Sequence, residues 1–405
     1  MACGLCYAKN LMQPYSLYVH VPFCQKRCSY CDFNTYAGLA DRIPAYVSAL
    51  EREIATVGNS APSRIPVHTF FFGGGTPSLL SAAQYETLLR TIEAVYDLQP
   101  DFEATLEANP GTVTGPYLQS LRKTGFNRIS FGMQTADPGE LALLGRIHDF
   151  YDVIQAVKWA RQAGFEQINL DLIFGLPFQS LDTWQASIEA ALRLSPEHLS
   201  VYALTVEHGT PLFKWVERGL VPSPDGDLAA DMYEWASERL DKAGFVQYEI
   251  SNWARKDKSG SMMACRHNLQ YWRNQPYLGF GAGAHGYATG YRLADVMHIK
   301  TYLERMAQPG QPAFPFSLAT GHSTRIDQHT EMEETMMVGL RLTQEGVSRS
   351  TFEQRFGIPV EQVFGNEIKQ MSQAGLLEAG EVLRLTEHGR LLGNQVFMQF
   401  VDTRP

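Results

Sequence analysis

Six apolar segments recur along the chain, each followed by a stretch with helical spacing: SLYVHV (16–21), VHTFFFGGGT (67–76), FEATLEANP (102–110), RISFGMQ (128–134), NLDLIFGLP (169–177) and LSVYALTV (199–206). Strand–helix alternation of this kind predicts βαβ units and a parallel sheet, and six units predict an α/β fold of the open, partial (β/α)6 TIM-like kind. The helix starts agree. Ser81-Ala-Ala-Gln84 reads as a capping box, and Asp137-Pro138-Gly-Glu140 offers an N-cap, a first-turn proline and an acidic third position.

After about residue 225 the pattern changes to a helix (225–243), a strand YEISNWA, and a polar, aromatic segment reaching Tyr291. This predicts a cover over the barrel. A proline-rich stretch, QPGQPAFPF (308–316), then separates a tail of short helices and a β-wing, LLEAGEVLRLTEHG. The predicted organisation is a tail (1–15), a barrel core (16–224), the cover (225–307) and a C-terminal α+β domain of winged-helix-like form (317–405).

At 405 residues and 44% apolar the chain can fill one large core and a smaller one. It has no run of about 18 apolar residues, and its start, MACGLCYAKNLMQ, lacks the charged-then-apolar order of a signal peptide. The expectation is a cytoplasmic protein with no direct membrane insertion. A net charge of −9 disfavours nucleic acid, and residues 317–405 hold 8 Lys and Arg against 12 Asp and Glu, so the winged-helix-like tail is read as structural rather than DNA-binding. Six cysteines in a reducing compartment suggest metal or redox chemistry rather than a disulfide framework.

Cys24-Gln-Lys-Arg-Cys28-Ser-Tyr-Cys31 follows directly on the first predicted strand, so three thiolates can converge from one loop. A four-iron cluster ordinarily takes four cysteines, and a C-x3-C-x2-C loop leaves one iron open to a non-protein ligand. In radical chemistry that ligand is S-adenosylmethionine (SAM), whose amino and carboxylate groups bind the open iron. The competing reading is structural zinc, which closes a tetrahedron with paired C-x2-C or with histidines. Cys3-Gly-Leu-Cys6 is such a pair, read as ordinary thiols with an accessory metal role as the alternative; the single Cys265 reads as a buried small hydrophobe, with ligation as its alternative.

Gly73-Gly-Gly-Thr76-Pro77 closes the second strand, where a run without side chains serves either a tight turn or close approach to a ligand. Ligands in such folds sit at strand C-terminal ends, which draws in Glu107, Gln134 and Asp171. Glu107 and Asp171 are offered as partners of a SAM ammonium or ribose hydroxyls, with Arg146 as a carboxylate clamp; satisfied internal salt bridges are the alternative.

With Tyr18-Val-His20-Val-Pro-Phe-Cys24, the three-cysteine loop, GGGTP, LEANP, SFGMQ and DLIFGLP in this order, nearly the whole chain resembles the oxygen-independent coproporphyrinogen III oxidase family. The resemblance implies a radical SAM protein in which Cys24, Cys28 and Cys31 hold a 4Fe-4S cluster and Tyr18, Gly74, Gly75, Thr76, Glu107, Gln134, Arg146 and Asp171 contact SAM. The family has two branches, true oxidases and haem chaperones of the HemW type. The oxidases carry a further cysteine two places after the triad and a longer N-terminal arm; here Phe33 stands at that place and 17 residues precede Tyr18. The chaperones carry H-N-x-x-Y-W, present as His267-Asn268-Leu-Gln-Tyr271-Trp272.

A histidine beside two large aromatics can supply an axial iron ligand and flat apolar surface for a porphyrin, while local chemistry alone also allows a packed surface turn. His285, in GFGAGAH, reads as structural. The resemblance thus implies a haem chaperone on a radical SAM scaffold that binds haem at His267, holds the cluster with SAM, and delivers haem to a haem-requiring client, respiratory and membrane-bound among the options. A low-potential electron donor is implied, and a homodimer is left open. Two rivals stand: coproporphyrinogen III oxidase, decarboxylating propionates by radical chemistry, and a radical SAM catalyst with a non-porphyrin substrate.

Overall fold

The computed structural model describes residues 13–402. These form two compact units, each drawn from separated stretches of chain: residues 13–239 with 276–324, and 240–275 with 325–402. Residues 225–307, expected as one segment, are therefore shared between the units. Cys3 and Cys6 lie outside the described residues.

In the first unit the predicted segments form β1 (Tyr15–Val21), β2 (Pro66–Gly74), β3 (Asp97–Ala108), β4 (Arg128–Gln134), β5 (Gln167–Phe174) and β6 (His198–Ala203). Four further strands follow: β7 (Tyr277–Phe280), β8 (His285–Ala288), β9 (Tyr291–Asp295) and β10 (Thr320–Arg325). They line up in the order β10-β9-β8-β7-β1-β2-β3-β4-β5-β6. From β7 through β1 to β6 every pairing is parallel, whereas β8 and β9 return antiparallel. The segment expected to be a cover thus extends the sheet. Its strands are four or five residues long and rich in glycine and aromatics, too short to display a period of two.

Side-chain alternation divides the sheet into two faces. Leu17, Val19, Phe72, Leu106, Ile129, Phe131, Leu170, Leu172, Leu199 and Val201 are buried on one face. The other carries Ser16, His20, Thr105, Arg128, Ser130, Asn169, His198 and Ser200, which are buried as well. The inner face of the barrel is therefore polar and buried along the strand interiors, while Tyr18, Glu107 and Asp171 on the same face are half-buried. The helices begin where predicted: Ser81 and Gln84 cap reciprocally, and the Asp137 side chain accepts from the Glu140 amide, each cap contributing about 0.5–2 kcal/mol.

In the second unit YEISNWA is two antiparallel strands, Phe245–Glu249 and Asn252–Arg255, because the Glu249 carboxylate accepts from the Ser251 amide at 2.9 Å and turns the chain between them. The helices Gln328–Gly339, Arg349–Phe356 and Val360–Gln373 enclose a core that includes Met336, Leu340, Phe364 and Phe400, and the wing strands Leu377–Ala379 and Val382–Leu385 pair antiparallel with each other, Val382–Leu385 also pairing with Val347–Ser348. This is the expected α+β tail. Among the described residues no helix is long and apolar enough to cross a membrane.

One buried acid pair ties the sheet extension to a helix of the first unit. Glu53, on helix Ile43–Ser60, accepts from the Gly281 amide (2.8 Å), the Tyr302 hydroxyl (2.8 Å) and the Ser317 hydroxyl (2.6 Å). Asp295, at the end of β9, lies 3.4 Å from the same Ser317 hydroxyl, so two carboxyls crowd one buried donor and a proton on one relieves their repulsion. Burial raises both above the ordinary carboxylate range, and for Asp295 the Glu53 charge raises it further. Groups raised on folding contribute stability at low pH that is lost as pH rises through the folded value, at most about 1.4 kcal/mol per pH unit per proton. Asp295→Asn retains a donor without needing the proton. Its melting temperature, followed upward from about pH 4, the ordinary carboxylate value, should fall less steeply than that of the unaltered protein; parallel profiles would disprove the raised Asp295 carboxyl.

Candidate functional site

β1 and β2 run side by side with Val21 opposite Gly74, and the chain beyond each enters the site. The Gly75 amide donates to the Val21 carbonyl and the Thr76 amide to the Phe23 carbonyl, both at 2.8 Å. A Cβ on Gly75 would lie 2.7 Å from the Phe23 oxygen and 2.8 Å from the Val21 oxygen. Both obstacles are backbone, so only glycine lets the two loops meet. The meeting brings the Thr76 hydroxyl to 3.6 Å from Cys24 Sγ.

The other side of the cysteine loop is held by the strand-end segments of the same unit. Ser29 donates its amide to the Leu144 carbonyl (3.0 Å) and accepts at its own carbonyl from the Leu212 amide (2.9 Å). Arg146 donates from Nη1 to Cys28 Sγ (3.4 Å) and from Nη2 to the Gly132 carbonyl (3.0 Å). Cys24, Cys28 and Cys31 remain partly exposed.

Burial raises the Cys24 and Cys31 thiols. The Thr76 hydroxyl is the main opposing influence at Cys24 and the Phe33 amide at Cys31, while Thr35 acts on both and was not singled out in the sequence. Three thiolates this close repel one another, so the ionised set calls for a positive centre. Among the described residues no three His, Cys, Asp or Glu side chains converge as they would on one metal ion. A four-iron cluster is wider than an ion, and three cysteines on one loop, with hydroxyl and guanidinium donors to sulfur, fit it chemically.

Behind the cysteines, Glu107 is half-buried and accepts from the Gly74 amide at 3.1 Å. Burial first, and then the charge of Asp171, pushes its pKa up to about 7. Burial raises Asp171 too, opposed by donors from Ser130, Asn169 and Ser200. Arg146 presents a buried Nε with no partner. Gln134 closes β4 in the left-handed region (φ 65°), a strain for a non-glycine residue that turns the chain at the strand end. Tyr18 lies 2.9 Å from His20 Nδ1 through its hydroxyl and stacks on Phe71. Carboxylates beside a guanidinium with a spare N–H suit a ligand bearing both an ammonium and a carboxylate, as the methionyl part of SAM does.

Tyr18, Gly74, Gly75, Thr76, Glu107, Gln134, Arg146 and Asp171 thus belong to the same unit as the three cysteines. His267 belongs to the other unit, on the short helix Arg266–Trp272. It is not an open ligand: it is 1% exposed, and its Nε2 lies 2.8 Å from the Tyr271 hydroxyl. Trp272 lies under the Arg341 guanidinium at 4.4 Å, and Arg341 pairs with the buried Glu249 at 3.3 Å. The motif is packed where the sequence suggested flat accessible surface. Cys265 is wholly buried, and exposed His285 sits in the β8–β9 hairpin opposite Ala294.

The radical SAM superfamily model matches residues 18–191, and the HemN C-terminal domain model matches residues 326–392. A protein named heme chaperone HemW from Bacillus subtilis is 39% identical over 95% of this chain and 99% of its own length. Its namesake from Lactococcus lactis is 34% identical over 96% of this chain and 98% of its own. A mitochondrial radical S-adenosyl methionine domain-containing protein 1 from Bos taurus is 36% identical over 89% of this chain and 81% of its own. Among solved structures, coproporphyrinogen III oxidase (HemN) from Escherichia coli superposes with a TM-score of 0.84 at 23% identity, over 99% of this chain and 93% of that one, a likeness of fold.

The crossing at Gly75 sets a testable limit. Gly75→Ala should lower stability by about 1–3 kcal/mol, because neither carbonyl can move without parting β1 from β2. Gly226→Ala, where a Cβ meets nothing within 4 Å, should be neutral. Comparison of the two melting curves checks this, and equal curves would remove the steric argument.

Proposed function

The chain belongs to the HemW haem-chaperone branch of the oxygen-independent coproporphyrinogen III oxidase family within the radical SAM superfamily, and from that premise we propose that it binds haem and delivers it to haem-requiring proteins, respiratory enzymes among them. The observation that carries the reading is likeness at 39% identity across both chains to a protein named as a haem chaperone. Phe33 supports it, since the oxidases carry a cysteine at that place; here an apolar ring, 63% exposed, stands beside the triad instead.

Cys24, Cys28 and Cys31 would hold three irons of a 4Fe-4S cluster, with SAM on the fourth. Bound there, the pair supplies one-electron cleavage of the sulfonium. The residues of the chain orient and neutralise. Thr76 and Arg146 donate toward the sulfurs, Arg146 also meets a carboxylate, and Glu107 and Asp171 receive the ammonium and ribose hydroxyls. Haem iron would be bound by His267, which requires the imidazole to leave its contact with Tyr271. The cargo site and the radical SAM site then reside on different units of the chain.

Two outcomes follow. Anaerobic haem titration of the cluster-reconstituted protein should saturate in the Soret band, and His267→Ala should weaken binding at least about tenfold, the loss of one strong ligand. A wild type without saturable binding sinks the chaperone reading and returns attention to coproporphyrinogen III oxidase, tested by anaerobic complementation of an oxidase-deficient strain.

The second outcome concerns protons. With a pKa of about 7, Glu107 is half protonated near neutrality, and a bound ammonium favours its charged form. SAM binding at about pH 7 should therefore release roughly half a proton, more at lower pH. Calorimetry in buffers of different ionisation enthalpy measures it, and Glu107→Gln should abolish it.

A further inference from the structure

Asp171 does not stand alone at the centre of the barrel. On neighbouring strands Ser130 is in register with Asn169, Asn169 with His198, and Asp171 with Ser200. Asn169 Nδ2 donates to Asp171 Oδ1 at 2.7 Å and lies 2.8 Å from Ser130 Oγ and 3.0 Å from Ser200 Oγ. Ser130 Oγ donates to Asp171 Oδ2 at 2.9 Å. On the far side, Asn169 Oδ1 lies 2.6 Å from His198 Nδ1 and accepts from Ser200 Oγ at 3.2 Å. Asn169 and His198 are each 2% exposed, so water does not substitute for either.

The network permits one arrangement. Burial, and then the Arg128 charge, holds His198 well below its ordinary pKa, so the ring is neutral and carries one N–H. If the Asn169 amide were turned over, its oxygen would face the Asp171 carboxylate at hydrogen-bond distance, two acceptors in contact. With Ser130 and Asn169 donating to its two oxygens, the Asp171 carboxylate fixes the amide, and the amide requires the proton of His198 to sit on Nδ1. Read in reverse, an Nδ1–H imidazole holds an amide whose nitrogen stays on Asp171 and opposes the burial that raises it.

We infer that Asn169 and His198 are positioning residues that hold the Asp171 carboxylate in place and aimed at the SAM hydroxyls. Neither touches the cofactor, and their effect passes through Asp171. The inference rests on the reading that Asp171 contacts SAM. The charged and titratable groups near Asp171 are Glu107 from β3, Arg128 from β4, Arg146 beyond β4 and Tyr30 from the cysteine loop.

The test is the SAM dissociation constant of the cluster-reconstituted protein, measured by equilibrium dialysis across pH, with no turnover involved. In the unaltered protein affinity should rise with pH through about 7 as Glu107 ionises. Asn169→Asp places a second carboxyl against Asp171, and the pair binds as the native pair does only while one proton remains between them. Its affinity should therefore fall with rising pH, about tenfold or more below the unaltered protein at about pH 8, a reversed slope that general loosening would not produce. His198→Gln, which keeps an N–H donor, should retain affinity within about threefold, whereas His198→Leu should lose about tenfold.

Cluster absorbance of the same preparations, reading Cys24, Cys28 and Cys31 in the same unit, verifies that each variant is folded. If wild type binds SAM and Asp171→Asn weakens it, yet Asn169→Asp keeps affinity and slope, the positioning role is overturned while the site stands. If Asn169→Asp does not fold, equal affinities of the two His198 variants overturn it. If wild type fails to bind SAM, or Asp171→Asn leaves affinity unchanged, the inference falls together with the site it rests on.

Discussion

Along the strand interiors the inner face of the barrel is polar and buried, and much else in the first unit follows from that constraint. A buried polar group without a partner costs about 1–3 kcal/mol, and a buried charge costs more. Ser130, Asn169, Asp171, His198 and Ser200 satisfy one another across three strands, which demands strict register between β4, β5 and β6. Partners run out at the strand ends, where burial raises Glu107 and leaves Arg146 Nε without an acceptor. The strand interiors and their ends are parts of one arrangement of hydrogen bonds.

The strand ends then need close approach of backbones. Gly75 admits the second loop beneath the first, and Gly132 leaves room for Arg146 to reach Cys28. Glycine at these places is an absence of atoms that lets donors arrive at sulfur. The second unit is organised differently, around an apolar core, with a seven-residue helix that sets His267 against Tyr271 and Trp272 beneath Arg341.

The first six strands were legible because their apolar runs are long and punctuated, and the helix starts because capping is local chemistry within four residues, as at Ser81 and Asp137. The cysteines and the strand-end polar residues were legible from spacing and alternation. Strands β7 to β9 were not, being too short to show a period, and the break at Ser251 hid a hairpin inside what reads as one strand. Asn169 and His198 left no local trace because they meet across strands 29 residues apart. His267 reads in sequence as an available ligand beside aromatics, whereas burial is a property of the surroundings that six letters do not contain.

The place of β7 beside β1 bears on how the chain is made. β1 ends at Val21 and its parallel neighbour begins at Tyr277, after an excursion of the chain into the second unit. During synthesis at about 5–20 residues per second, the edge of β1 waits on the order of ten seconds or more for that strand to emerge. Through that interval its amides and carbonyls are an open template for pairing with another chain. The barrel is thus a late-closing structure, exposed while nascent on the side that its own C-terminal half will cover.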